Sequence, residues 1–474
     1  MKGAAAVPEG GAALFRNPGP ELRRQMEALL PLIEKTFPIP ARFRRALPRD
    51  VAELSRLLTS GRGGRSLSYL NHPPALSAYL RYFLPWNVYR LCRLLPALDL
   101  PLSPGDWILD LGSGPLTLPI ALWLCRPELR ALPLEFRCLD RSRAALDAGR
   151  KLFAALAASG IPAPPSPRPL SSAAPLNTAP SSAPPVVPPS PWTFTVLSGE
   201  IAQVLRGGKL GEGGNPALIA ALNVYNEIFQ PIPPGSDEGL ARLAELQAAL
   251  LAASAGGKGR ILVVEPGIPR SGRFITLLRA ALMDRGFPPR SPCAHHGPCP
   301  FPGLEKHAGA AEPRGPQRRP PRRPPGPAAL PPSRGAEALR DTAIPAPEKA
   351  AAKWCHFAFD AQDAPAALRR LSAEVGLPKD RATLSFLLAG PPAEGKSPPL
   401  PASPGAEVPL RIISDPFPLG GQEEWGRYGC AEQGIVLLRA EAGRLKSLPP
   451  GILVTALSTG RRDPKSGAPL CRLP

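Results

Sequence analysis

Apolar positions recur at helical spacing through the first hundred residues. Leu29, Leu30, Leu32 and Ile33 mark one stretch, and Val51, Leu54, Leu57 and Leu58 mark another at three- and four-residue spacing, so each predicts an amphipathic helix. Asp50 is placed to cap the second. A third stretch, Ala75 to Leu95, mixes Tyr79, Tyr82, Phe83, Trp86 and Tyr89 with Arg81, Arg90 and Arg93. Residues 1–100 therefore read as an all-helical amino-terminal region that packs on the domain after it.

The pattern then changes period. Trp107 to Leu111 is a short apolar run that enters a turn of small residues, and Leu116 to Leu124 continues as an apolar helix. Arg137 to Asp140 predicts a second strand ending in an acid, and Ala144 to Leu156 the next helix. Strand signals resume at Thr193 to Leu197, Ala217 to Tyr225 and Ile261 to Glu265, with a helix from Leu240 to Ala253 before the last. Alternating strands and helices imply a parallel sheet covered on both faces. A helix from Phe274 to Arg285 comes next, and Ala382 to Leu388, Leu410 to Ser414, Ile435 to Arg439 and Ile452 to Leu457 add β signal.

The expected organisation is a helical region over 1–100 and an α/β domain over 101–290 with an insertion at 158–191. A cysteine-motif region occupies 291–360, with an insertion at 308–348. Final sheet strands and a β-rich extension occupy 361–474. The insertions, and a linker from Pro391 to Glu407, are too rich in Pro, Ser and Ala to bury enough apolar surface to fold alone. No internal repeat is present.

Composition adds partners and compartment. Lys and Arg number 57 against 38 Asp and Glu, a formal charge of +19, which predicts a polyanionic partner such as nucleic acid. The insertion around Arg314, Arg318, Arg319, Arg322 and Arg323 is either an RNA-contacting arm or a solvated linker. No apolar run reaches the roughly 20 residues of a membrane span, and Met1 to Gly11 lack the apolar core of a secretory signal, so no membrane partner is expected. Arg16, Arg23 and Arg24 suit a transit peptide, whereas Glu9, Glu21 and Glu27 do not.

Eight cysteines in a reducing compartment argue for free thiols and metal ligation. Cys92, Cys125 and Cys138 lie in apolar contexts and read as core, and Cys471 as a bystander. Cys293 and Cys299, in a Pro- and Gly-flanked run with His295 and His296, do not. With Cys355 in Trp354-Cys-His-Phe357, and Cys430, they make four thiols, the usual complement for an iron–sulfur cluster or structural zinc. The five intervening residues of the first pair do not name the metal. A four-iron cluster, zinc with His295, His296 or His356 replacing a thiol, and metal-free reduced thiols all stay open.

Asp110-Leu-Gly-Ser-Gly-Pro115 sits between a strand and a helix, where glycines let a ligand approach the backbone. Asp140 ends the next strand, where an acid can accept hydrogen bonds from a ribose. Together these residues resemble the S-adenosylmethionine site of Rossmann-like methyltransferases. The resemblance implies cofactor contacts at Asp110, Gly112, Gly114 and Asp140. At the fourth strand Asn223, Asn226 and Glu227 are either polar contacts to a substrate or cofactor or a strand-end cap. Leu116 stands where many relatives have a further glycine, so its side chain is expected to crowd the cofactor. Asn223-Val-Tyr-Asn-Glu227 lacks the prolines of the amino-group methyltransferase motif, and Glu265-Pro-Gly267 lacks the cysteine of the RNA cytosine-carbon enzymes.

Taken with the cysteine set, the chain resembles the ribosomal small-subunit methyltransferase-like proteins of bacteria and mitochondria. The resemblance implies a Rossmann-like S-adenosylmethionine-dependent methyltransferase fold, an association with the small ribosomal subunit and its rRNA, and a 4Fe-4S cluster on Cys293, Cys299, Cys355 and Cys430. It also implies a bacterial cytoplasm or a mitochondrial matrix as the compartment. The competing expectation is an active RNA or protein methyltransferase with structural zinc. A radical enzyme is disfavoured, because that chemistry needs three closely spaced cysteines.

Overall fold

The computed structural model describes residues 13–59, 69–159, 190–207, 214–233, 236–301, 354–391, 405–419 and 424–474. The insertions expected at 158–191 and 308–348 and the linker at 391–407 fall almost wholly outside them, as do His307 and the arginine pairs.

The amino-terminal region is helical as expected: α1 (Pro20–Thr36), α2 (Ala41–Arg44), α3 (Leu47–Thr59), α4 (Pro73–Ala78) and α5 (Leu84–Leu94), with a π-helical turn at Tyr79–Phe83 before α5. Asp50 does not cap α3. The helix starts at Leu47, so Asp50 lies in its first turn, where its charge favours the positive end of the helix dipole.

Eight strands form the main sheet: β1 (Trp107–Leu111), β2 (Glu135–Asp140), β3 (Thr193–Ser198), β4 (Leu218–Leu222), β5 (Arg260–Pro266), β6 (Pro289–Ser291), β7 (Phe357–Asp360) and β8 (Arg381–Ala389). Their order is β3-β2-β1-β4-β5-β8-β6, with β7 paired to β8. The pairings among β1 to β5 are parallel, and β8 runs antiparallel to β5. Helices α6 (Thr117–Cys125), α7 (Arg143–Ala157), α8 (Ile201–Arg206), α9 (Tyr225–Ile228), α10 (Asp237–Ala255) and α11 (Pro269–Met283) connect them.

This is the Rossmann-like methyltransferase fold. Central β1 and β4 are buried at every position, which is why their sequences are apolar throughout except at Asp110, whereas edge strand β3 alternates between exposed and half-buried positions. The strand order reverses between β1 and β4, opening a crevice at their carboxyl ends.

The sheet does not close at residue 290. Its antiparallel strand β8 comes from beyond the cysteine motifs, and β7 begins inside the region assigned to them. Helix α12 (Ala366–Glu374), absent from the sequence expectations, joins β7 to β8 and locks onto the amino-terminal helices. Trp86 Nε1 donates to Ser372 Oγ at 3.0 Å, Phe15 stacks on Phe359 at 4.9 Å, and Arg93 pairs with both Asp363 oxygens at 2.8 and 2.9 Å.

The carboxyl-terminal extension is a second sheet built from β9 (Glu407–Ile412), β10 (Phe417–Pro418), β11 (Glu424–Ala431), β12 (Gly434–Glu441), β13 (Leu453–Arg462) and β14 (Pro469–Arg472), with α13 (Ala442–Ser447) between β12 and β13. Its order β10-β11-β12-β14-β13-β9, with a further β11–β9 pairing, closes five strands into a small barrel. Val408, Leu410, Val436, Leu438 and Val454 fill it. Buried Arg427 spans inside, donating to the carbonyls of Ser414, Leu445 and Leu448 at 2.6 to 3.0 Å and so satisfying backbone acceptors at the end of α13. Among the described residues, no helix is long and apolar enough to cross a membrane.

The Arg93 side chain is only 6% exposed, so removing its carboxylate partner strands a buried charge. Asp363→Ala is expected to destabilise the protein by about 3 kcal/mol in denaturant titration.

Candidate cofactor site

A cavity of about 230 Å³ opens at the carboxyl ends of β1, β2 and β4, in the crevice that the strand order creates. Gly112, Gly114, Asp140 and Asn223, four of the residues singled out from the sequence, line it, joined by Ser142, Glu227 and, from the helical region, Tyr69 and Tyr79.

The glycine loop is shaped by its glycines for two different reasons. Gly112 has φ +67°, and a Cβ there would fall 2.4 Å from Val224 Cγ2, so neither backbone nor space admits another residue. Gly114 has φ +52°, and a Cβ there would meet nothing within 4 Å. It faces open cavity, as a ligand-approach glycine should.

Asp140 holds this loop from the neighbouring strand. Its carboxylate accepts from the Gly114 N–H at 2.8 Å and from the Ser142 N–H at 2.7 Å. Burial pushes its pKa up, and the two amide donors counter that shift. A carboxylate has about four lone-pair sites, so acceptor capacity for ribose hydroxyls remains. Ser142 caps α7 by accepting from the Ala145 N–H, and its hydroxyl reaches Asn71 Oδ1 at 2.7 Å, tying the helical region to the site.

Two expectations are corrected here. Asp110 does not line the cavity: it is 1% exposed beneath the loop, accepts from the Ser113 hydroxyl, and is pushed up to about 7 chiefly by burial. It positions the loop. Leu116 does not crowd the cofactor either. It keeps the left-handed backbone of the missing glycine, φ +58°, at a cost of about 1–2 kcal/mol, but its side chain is fully buried and points into the core. The space for it is made by Gly149 of α7, where a Cβ would lie 2.7 Å from Leu116 Cδ1 and 2.5 Å from the Pro115 carbonyl carbon. Gly149 was missed from sequence, although a glycine inside a helical pattern is a signal of close packing.

The β4 edge is also fixed. Asn223 adopts φ +55°, a conformation asparagine tolerates, and donates its N–H to Val264 O at 2.7 Å. Glu265, fully buried at the end of β5, accepts from the N–H groups of Tyr225 and Asn226 at 2.8 and 3.0 Å, and burial pushes it up to about 8. Glu265 is thus a turn brace. Glu227 faces the cavity and accepts from the Tyr69 hydroxyl at 3.2 Å, while Asn226 is not among its lining residues. A buried crevice with loose glycine backbone, one ribose-type acid and polar groups at the β4 edge fits a nucleoside-bearing ligand such as S-adenosylmethionine.

The four late cysteines are brought to one region beside α11 by three separate segments. Cys293 and Cys299 follow β6, Cys355 precedes β7, and Cys430 lies next to the last residue of β11 of the barrel. Burial, then mutual proximity, push the Cys293, Cys355 and Cys430 thiols up: Cys293 feels Cys299, Cys355 feels Cys293, Cys430 and Cys299, and Cys430 feels Cys293 and Cys299. Arg279 donates to Cys293 Sγ at 3.2 Å, and His295 Nε2 lies 3.3 Å from Cys430 Sγ. Donor chemistry suits a thiolate-bound metal, but among the described residues no three His, Cys, Asp or Glu side chains are arranged to hold a metal ion. Cys92, Cys125 and Cys138 are core residues as expected, and Cys471 packs inside the barrel.

No protein-family model and no curated protein matches the chain. Solved structures similar to it include TrmN from Thermus thermophilus, at 19% identity over 44% of this chain and 46% of that one, with a TM-score of 0.24. Fibrillarin from Aeropyrum pernix with natively bound S-adenosyl-L-methionine matches at 14% identity over 45% and 72%, TM-score 0.23. A SAM-dependent methyltransferase from Geobacter sulfurreducens in complex with S-adenosyl-L-homocysteine matches at 14% identity over 50% and 71%, TM-score 0.24. The chain thus spans about half the length of TrmN.

Gly149→Ala should force the glycine loop off its seat, lowering stability by about 1–3 kcal/mol in denaturant titration. Because Glu265 keeps its proton to a higher pH when folded, its share of stability is present below about pH 4.5 and lost as pH rises toward about 8. Stability measured from pH 5 to 8 should therefore fall less steeply in Glu265→Gln than in the wild type.

Proposed function

We propose that this chain is a small-ribosomal-subunit protein that binds ribosomal RNA, holds S-adenosylmethionine in the crevice at β1, β2 and β4, and carries a 4Fe-4S cluster on Cys293, Cys299, Cys355 and Cys430. The observation that carries the cofactor reading is the placement of Gly112, Gly114, Asp140 and Asn223 around one cavity. The gathering of four thiols from segments far apart in sequence supports the cluster, which would staple the barrel to the main sheet. A formal charge of +19 supports an RNA partner, in a bacterial cytoplasm or a mitochondrial matrix.

Bound S-adenosylmethionine supplies an electrophilic methyl group. The residues around it favour holding over transfer: Glu265 is spent on the β4 turn, and Glu227 is bonded to Tyr69. Asp140, itself fixed by the Gly114 N–H, orients the ribose end, while Tyr69 and Tyr79 limit water access from the helical side. An RNA-binding factor whose methyltransferase fold serves as a cofactor-loaded scaffold is therefore the reading chosen over an active enzyme with zinc.

Anaerobically purified full-length protein should be brown, with about four irons per chain, and Cys355→Ser should lose both colour and iron. The same preparation should co-sediment with purified small subunits, and binding should weaken steeply as salt rises. One zinc per chain, or no metal, would remove the cluster, and failure to sediment with the subunit would remove the ribosomal reading.

A further inference from the structure

The carboxyl-terminal barrel has a specific connectivity. Numbered from β9, its five closed strands run 1-2-3-5-4-1: β9 pairs β11, β11 pairs β12, β12 pairs β14 in parallel, β14 pairs β13, and β13 returns to β9. Helix α13 sits between the third and fourth strands and plugs the barrel end through Arg427. This is the topology of the five-stranded OB barrel, which takes oligomeric ligands across strands 2 and 3 and the loops beside them. Topology alone does not assign a ligand. The chemistry of the outer face does.

Register places Phe417, Gly426, Arg439 and Arg472 in one row across β10, β11, β12 and β14, and Tyr428, Leu437 and Leu470 in an adjacent row on the same face. Gly426 leaves room for the rings: a Cβ there would lie 3.1 Å from Phe417 Cε2 and 2.9 Å from Leu437 Cδ1. Phe417 and Tyr428, both half-buried, come within 5.2 Å of each other over it. Arg472, Arg461 at the end of β13 and Lys465 in the turn after it are exposed with no carboxylate within ion-pair distance among the described residues. The acids nearby are committed: Glu424 pairs with Arg439, and Asp463 holds Ser466 within the turn. An aromatic platform rimmed by unpaired cations is the arrangement that stacks bases and neutralises a phosphate chain.

We propose that this face of the barrel binds single-stranded RNA, with Phe417 and Tyr428 stacking bases and Arg461, Lys465 and Arg472 following the backbone. The proposal rests on the RNA-binding reading above and gives it a surface and a ligand form.

The test measures binding of the full-length protein to a fluorescein-labelled twelve-nucleotide oligouridine and to a twelve-base-pair RNA duplex by fluorescence polarisation, across a salt series. Arg461→Glu with Arg472→Glu alters only exposed side chains, so thermal melting should be unchanged. Oligouridine affinity should fall about tenfold or more at 0.1 M salt, with the slope of log K against log salt reduced by about one to two. Phe417→Leu should cost about fivefold or more. Arg150→Glu with Lys151→Glu, two exposed cations on α7, serves as the charge control and should cost no more than about twofold.

If the barrel pair weakens binding no more than the control, or if the duplex binds as tightly as the single strand, the barrel assignment is wrong while RNA binding stands. If the wild type binds neither RNA, the RNA reading itself falls, and this proposal with it.

Discussion

One carboxylate organises the cofactor crevice. Asp140 ends β2 and receives the amide hydrogens of Gly114 from the β1 loop and Ser142 from the start of α7. These two bonds bind a flexible glycine turn to a neighbouring strand and to a helix cap. Through the Ser142 hydroxyl the same point reaches Asn71, and so draws the amino-terminal helices over the opening. Below the loop, Asp110 and Ser113 close the remaining polar contact. A site that must admit a ligand to bare backbone cannot rely on packing to hold its shape, so hydrogen bonds to a fixed acid take that role.

The rest of the molecule arranges rigid parts around this crevice. The amino-terminal helices are fastened by Trp86, Tyr82 and Arg93 to the segment that returns to form β7 and β8, so regions about 270 residues or more apart in sequence form one body. The cysteine motifs occupy the seam between the main sheet and the barrel. Cys430 lies on β11 and packs with the main core, so this strand of the barrel is seated on the main sheet at the seam.

Much of the frame was legible in the chain. The buried runs 107–109 and 261–264 are apolar at successive positions because both faces of those strands are covered, and the reversal of order at β1 and β4 comes from two βαβ halves. Asp140 and the glycines were readable because only certain residue types can occupy such turns. What escaped was relational. Gly149 matters because Leu116 lost its glycine, and Asp110 faces inward because Ser113 satisfies it; neither fact exists in local pattern. The barrel closure was hidden because β12 and β14 pair in parallel across an intervening strand, a contact with no sequence periodicity. Asp50 reads as a cap because the apolar spacing begins at Val51, whereas the helix itself starts at Leu47 and carries Pro48 in its first turn, where proline is well tolerated.

The central claim is that the crevice at β1, β2 and β4 holds S-adenosylmethionine against the Gly114 backbone. Isothermal calorimetry of that cofactor with the full-length protein, wild type and Gly114→Val, tests it most directly. A Cβ at Gly114 meets no protein atom, so the variant fills cavity space alone, and its positive φ adds strain to a branched side chain. The account predicts saturable binding at one site per chain in the wild type, and binding weakened about tenfold or more in a variant that remains folded. Absence of heat in the wild type, or equal affinity in the two proteins, would contradict it.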